Sequence, residues 1–258
     1  MEAHPTAIVH PRAQVASNVA LGAYSRIDEY VEIGEGTVVM PHAVIEGHTR
    51  IGRNNQIFPF ASVGGIPHDM KYRGEIAYTD IGDDNVIREF VTIHCGTALG
   101  QSVTKIGSHN MLMAYVHIAH DCNLGNHIIM ANATSLAGHV EIQDYAFVGP
   151  LCAIHQFCRL GAYSFLGACT VATRDVLPYS KTSAPRPLGV YGTNRSGLQR
   201  QGLSGEDIKE LDAAFRLLTR SKMNTTQALE AIEAREFQSP HVRKLVEFIR
   251  TSQRGVAR

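Results

Sequence analysis

Cut into sixes, residues 111–164 read MLMAYV HIAHDC NLGNHI IMANAT SLAGHV EIQDYA FVGPLC AIHQFC RLGAYS. The second position of every block is a large aliphatic: Leu112, Ile118, Leu124, Met130, Leu136, Ile142, Val148, Ile154 and Leu160, with Leu166 next in phase. The same period opens the chain, running from Val9 through Leu21, Ile33 and Ile45 to Val63, and it resumes at Ile81, Ile87 and Ile93. Glycine often follows the aliphatic, as at Gly22, Gly52, Gly107 and Gly149, and the fourth residue after it is usually small or β-branched, as at Thr37, Ala43, Cys122 and Val140. A period of six fits neither a helix nor a plain alternating strand; it is the hexapeptide signature of a parallel β-helix. Each hexad is a short strand and a turn, with the aliphatic inside, the small residue beside it and glycine permitting the turn dihedrals. Three hexads close one triangular coil, so residues eighteen apart stack at ~4.8 Å, the inter-strand spacing.

Two segments break the frame, residues 64–80 and 99–105. A coil with six residues per side must expel both as loops, and loops on a rigid scaffold often carry function. After Leu166 the repeat fades through a Pro-containing stretch, 178–187. The chain therefore divides into a β-helix over 1–188 and a helical region over 189–258. Ser204 is placed to cap a helix over 205–220, with Leu211, Phe215 and Leu218 on one face. Residues 226–235 and 240–254 read as two further amphipathic helices.

Composition narrows the class. The 258 residues carry no formal net charge and are 44% hydrophobic, which excludes a disordered chain. No apolar run is long enough to span a bilayer. Nothing in charge or motif points to nucleic acid. Residues 1–6 show no signal-peptide pattern, and five cysteines without a C-x-x-C pair read as reduced thiols, so a cytoplasmic location is expected. The neutral total hides a split: residues 1–180 hold 10 Lys+Arg against 16 Asp+Glu, while 181–258 hold 14 against 8. A basic face favours an acidic partner.

Thirteen histidines supply the chemistry. Ile118, Leu136 and Ile154 share one side of the prism, with Ile93 and Val63 once the loops are allowed for. Asp121 and His139 then occupy one position on adjacent coils, and Gly138 lies over His120. His94 and His155 share the neighbouring column. The patch His120, Asp121, Gly138, His139 and His155 therefore falls on one edge, and the loop bearing Lys71 leaves from the same side. An imidazole beside a carboxylate suits a general base near neutrality, and a glycine offers a bare backbone N–H to an oxyanion. No nucleophile elbow or phosphate-binding glycine loop is present, which leaves direct transfer.

At these residues the chain resembles a known family. The strings E-I-G-E-G-T, V-T-I-H-C-G-T, H-I-A-H-D-C, L-A-G-H-V and A-I-H-Q-F-C, with D-M-K-Y-R-G-E in the first loop, are similar to those of the acyl-carrier-protein–UDP-N-acetylglucosamine O-acyltransferases, which open lipid A synthesis. The resemblance covers nearly the whole chain. It implies an all-β left-handed β-helix with a C-terminal helical domain, assembled as a homotrimer with sites between subunits and needing neither cofactor nor metal. There a (3R)-3-hydroxyacyl group passes from acyl carrier protein to the glucosamine 3-hydroxyl of UDP-N-acetylglucosamine. Position by position, it implies His120 as base, Asp121 as its orienting carboxylate and Gly138 as oxyanion donor. Asp69, His139 and Gln156 match sugar-nucleotide contacts, and Lys71, His94, His117 and His155 other pocket residues. Ala168 falls where the side chain limits acyl length. In the nucleotide-binding stretch Asn194 and Arg200 match, but Ser196 replaces a glutamate and Gln201 a second arginine. That departure leaves open a relative acylating a 3-amino sugar nucleotide, and a non-catalytic sugar-nucleotide-binding protein is a further alternative. A hexapeptide-fold zinc enzyme would need an H-x4-H pattern that H-I-A-H does not supply.

Overall fold

The structure, a computed structural model, describes residues 1–183 and 188–257. Each hexad forms a strand of two to four residues, and each coil lays one strand on each of three sheets. The first sheet begins at Glu2–Ala3, the second at Ile8–Val9 and the third at Gln14–Val15. Within the coils neighbouring strands are parallel and in the expected register: Ile118 pairs with Leu136 and Leu136 with Ile154, while Val63 pairs with Ile93 and Ile93 with Ile118. From Leu21 to Leu166 the stacked aliphatics form one continuous core, buried along the prism. Fully burying one such side chain stabilises by about 1.5–3 kcal/mol, so the period is enforced at every coil.

The glycines work differently from the sequence expectation. Positive φ at the corners belongs to ordinary residues, among them Asp121 (59°), His139 (62°) and Phe157 (63°). Stacked side chains accompany this conformation along the corners: His109, His127, Tyr145, Tyr163 and Tyr179 stack at 4.7–5.6 Å. The glycine after the aliphatic is required instead by the next coil. A Cβ on Gly22 would stand 2.6 Å from Pro41 N, and one on Gly52 would stand 2.7 Å from Gly82 O.

Both excursions leave the edge between the second and third sheets, but with other limits. Strands Ser62–Gly65 and Tyr78–Ile81 leave residues 66–77 outside the coil. Val103–Ile106 rejoins the third sheet, and Cys95 and Gly96 still bond to neighbouring backbone, so the second excursion is 97–102. The coil also outlasts the visible repeat, since Ser180–Ser183 adds to the first sheet beside Phe165–Leu166. Gly189–Thr193 pairs antiparallel with it.

Among the described residues four helices follow: α1 (Arg195–Arg200), α2 (Gly205–Arg220), α3 (Thr225–Glu233) and α4 (Pro240–Arg250). Ser204 caps α2 by accepting from Asp207 N–H, as its position predicts. The short α1 has no sequence signal strong enough to foresee it, and α4 stops four residues early, at the Thr251 cap. Leu211, Phe215, Leu218, Ile232, Leu245 and Phe248 form a second core with Tyr179. No helix among the described residues is long and apolar enough to cross a membrane.

Candidate active site

Asp121 is fully buried at the edge between the second and third sheets, and the 97–102 excursion wraps around it. Its carboxylate accepts from Thr97 N–H (3.1 Å), Thr97 Oγ1–H (2.7 Å), Gln101 N–H (2.8 Å) and His120 Nδ1–H (2.8 Å). Its own N–H donates to Thr104 Oγ1 at 2.9 Å. Burial alone would raise the carboxyl pKa, but the bonds from His120, Thr97 and Gln101 outweigh it and hold the pKa at about 2. The group is therefore an anion at any working pH and can only accept. That fixes the His120 proton on Nδ1 and leaves Nε2 as a base.

His120 keeps 15% of its side chain exposed, so Nε2 is reachable. Gly138 lies flat against the ring: a Cβ there would be 2.6 Å from His120 Cε1 and 2.7 Å from Nε2. The Gly138 N–H has no partner among the described residues. One position on, His139 stands edge-on to His120 at 5.1 Å and 90°, stacks on Phe157 at 4.5 Å, and places Nε2 3.9 Å from Asp121 Oδ2. Burial is the main cause lowering its pKa, with His120 adding, while Asp121 and Asp69 oppose.

On the second sheet, His94 and His117 meet edge-on at 4.9 Å. His117 Nδ1 bonds to Thr92 Oγ1 at 2.7 Å. His94 is 7% exposed, and its Nδ1 has no hydrogen-bond partner among the described residues. Burial, then the neighbouring His117, His68 and His120, push its pKa down to about 4. The first excursion hangs over this pair. Asp69 accepts from Lys71 N–H in a local turn, and Lys71 is exposed.

The remaining expected residues are scattered. Gln156 continues the column of His120 and Gly138, since Phe157 N–H donates to Gly138 O, and it is exposed. His155 lies two coils on along the same edge, with Nδ1 3.1 Å from Arg254 Nη2. Asn194 and Arg200 lie by the opposite edge, between the third and first sheets. The Asn194 side chain caps α1 and donates to Tyr163 O at 3.1 Å, so both its polar atoms are engaged. Ala168 is exposed near the edge between the first and second sheets. Sequence reading missed His68, Thr97, Gln101 and Thr104. The only signal for the last three was the broken frame itself, which marked an expelled segment but not what it folds around.

A parallel β-helix carrying a histidine–carboxylate pair and a glycine N–H on one edge defines the class of hexapeptide-repeat acyltransferases. Residues 175–257 match the model of the second domain of UDP-N-acetylglucosamine O-acyltransferase. A protein of Herminiimonas arsenicoxydans named acyl-[acyl-carrier-protein]–UDP-N-acetylglucosamine O-acyltransferase is 45% identical over 99% of this chain and 98% of its own. One of the same name from Thermodesulfovibrio yellowstonii is 46% identical over 100% and 99%. The LpxA structure from Acinetobacter baumannii overlaps at a TM-score of 0.95 and 42% identity, covering 99% of both chains. The chain belongs to the acyl-[acyl-carrier-protein]–UDP-N-acetylglucosamine O-acyltransferase family. Its parallel sheets and this overlap fit the left-handed β-helix.

Proposed function

We propose that this chain transfers a (3R)-3-hydroxyacyl group from acyl carrier protein to the 3-hydroxyl of UDP-N-acetylglucosamine, the first step of lipid A synthesis. His120 Nε2 takes the hydroxyl proton as the sugar oxygen attacks the thioester carbonyl. Asp121 holds the ring and stabilises the imidazolium, and Gly138 N–H donates to the oxyanion. The attack forms the ester C–O bond; collapse of the tetrahedral intermediate re-forms the carbonyl and breaks C–S, and the departing carrier thiolate takes the proton from His120. No cofactor or metal enters these steps. The observation that carries the reading is the 2.8 Å His120–Asp121 bond to a carboxylate already saturated by the 97–102 segment.

The working unit in this reading is a homotrimer. Asn194, Arg200 and Ala168 stand on edges other than that of His120, so one copy does not gather the whole set. The outer face of the first sheet is largely apolar, with Val38, Met111, Ile129, Phe147 and Phe165 beside Glu2 and Gln56, whereas the third carries Glu32, Arg50, Asp80, Lys105 and Glu141. Beside the apolar face runs a stack of Tyr24, His42, Phe60, Phe90 and Tyr115 at 4.9–5.2 Å. Such a face supports association. Neighbouring copies then complete the pocket: Asp69, Lys71, His139, Gln156 and Arg200 around the sugar nucleotide, and Ala168 at the acyl end.

The test is an acyl-transfer assay with a panel of 3-hydroxyacyl carrier proteins against UDP-N-acetylglucosamine and its 3-amino analogue. Ester formation with a narrow chain-length optimum is expected, and His120→Ala should lower kcat by ~10²–10⁴-fold while the assembly stays folded. The 3-amino sugar as the preferred acceptor would move the reading to the amide-forming alternative, which the Ser196 and Gln201 departures leave open.

A further inference from the structure

His68 lies on the first excursion, and none of the steps above uses it. Its ring meets His94 edge-on at 4.3 Å and lies nearly parallel to His117 at 6.0 Å. One donor atom from each of the three lies within 4.8 Å of the others. We propose that His68, His94 and His117 form a binding site for a zinc-class divalent cation, which pins the 66–77 excursion to the second sheet.

Three imidazoles with a fourth position open is a common zinc arrangement, and imidazole suits borderline metals over magnesium or calcium. Zinc–nitrogen bonds of about 2.0–2.1 Å set tetrahedral donors roughly 3.4 Å apart, so the set has to close by up to roughly 1.4 Å. His68 is exposed on a loop and is free to supply that movement. The other two donors are already oriented. His117 spends Nδ1 on Thr92, which leaves Nε2 and gives the ring a supporting partner. His94 Nδ1 is buried without a partner among the described residues, an uncommon state for a polar atom that a cation would relieve. The neighbouring group of His120, Asp121 and His139 is just as compact. Its carboxylate, however, is saturated by Thr97, Gln101 and His120, so it offers no free lone pair toward a metal.

Cation binding would draw His94 and His117 away from substrate and hold Asp69 and Lys71 in one position. Zinc would then slow transfer; that consequence rests on the acyl-transfer reading, whereas the binding itself does not. The experiment is calorimetric titration of chelator-treated full-length protein with Zn²⁺, repeated with Co²⁺ while recording the visible absorption of four-coordinate cobalt. One cation per chain is expected, with tetrahedral cobalt bands. His68→Gln should weaken binding by at least ~100-fold, beyond the ~10–100-fold loss typical of an outer-shell partner, and His117→Gln similarly. His109→Gln, in the separate His109–His127 stack, should leave it unchanged. No binding by the unaltered chain, or an affinity untouched by His68→Gln, would overturn the site; neither readout depends on turnover.

Discussion

At Gly138 the spacing to His120 leaves no room for a methyl group, because the Cβ would sit 2.6 Å from the ring it must not displace. Gly138→Ala should therefore lower kcat by about 100-fold, the scale of a 1 Å misplacement. The unfolding midpoint should stay near that of the unaltered chain, because the ring can swing outward. Normal turnover in this variant would mean that the ring position seen here is not the productive one. His94 makes a second residue-scale prediction. Its folded pKa of about 4 lies below the ordinary 6.5, so the unfolded chain binds the proton more readily. Its contribution is intact above pH 6.5 and is lost as pH falls toward 4, by about 3 kcal/mol in all. His94→Gln should flatten that part of the acid-stability curve, measured by denaturant unfolding at fixed chain concentration.

Among the elements, the 97–102 excursion carries the most consequence for its size. It occupies no place in the coil, yet it supplies three of the four bonds that keep Asp121 ionised. Thr97→Val removes the 2.7 Å hydroxyl bond and leaves the backbone bonds in place. A hydrogen bond to a charged group contributes about 1.5–3 kcal/mol. The expected result is a kcat about 10-fold lower, with KM for both substrates within about twofold and the acid limb of the pH–rate profile moved upward. Thr97→Ser should restore both. An unmoved acid limb would reduce Thr97 to a packing residue.

For the whole molecule, charge separates along the chain, and the basic share lies in the helical region. Arg195 pairs with Asp212. Arg216 and Arg220 are exposed and line, with Tyr191, a cleft of about 310 Å³ between the Gly189–Thr193 strand and α2. Lys222 follows just beyond α2. An acidic carrier protein would be steered here through fields screened over ~8 Å at physiological salt. Raising salt should increase KM for the carrier protein and leave kcat nearly unchanged. Reversing the charges of Arg216, Arg220 and Lys222 should do the same without moving sugar-nucleotide KM. Flat carrier-protein KM in both experiments would place docking on the prism.

The coil is legible in the amino-acid order alone, because one residue in six facing a single core is a one-dimensional constraint. Counting from Val9 to Leu166 recovers the sheets, the register and the superposition of Gly138 on His120. The Ser204 cap is legible for the same local reason, a side chain bonding three residues away. Where contacts run out of the repeat, counting carries no information. The use of Asp121 as the hub of the 97–102 segment depends on a loop folding back on its own edge. The pairing of His155 with Arg254 depends on the tail returning ninety-nine residues later. The engagement of Asn194 and the meeting of His68 with His94 and His117 have the same origin. Positions inside the prism follow from sequence because burial repeats with the period; the surroundings of the site are set by segments that leave it, which only three-dimensional packing places.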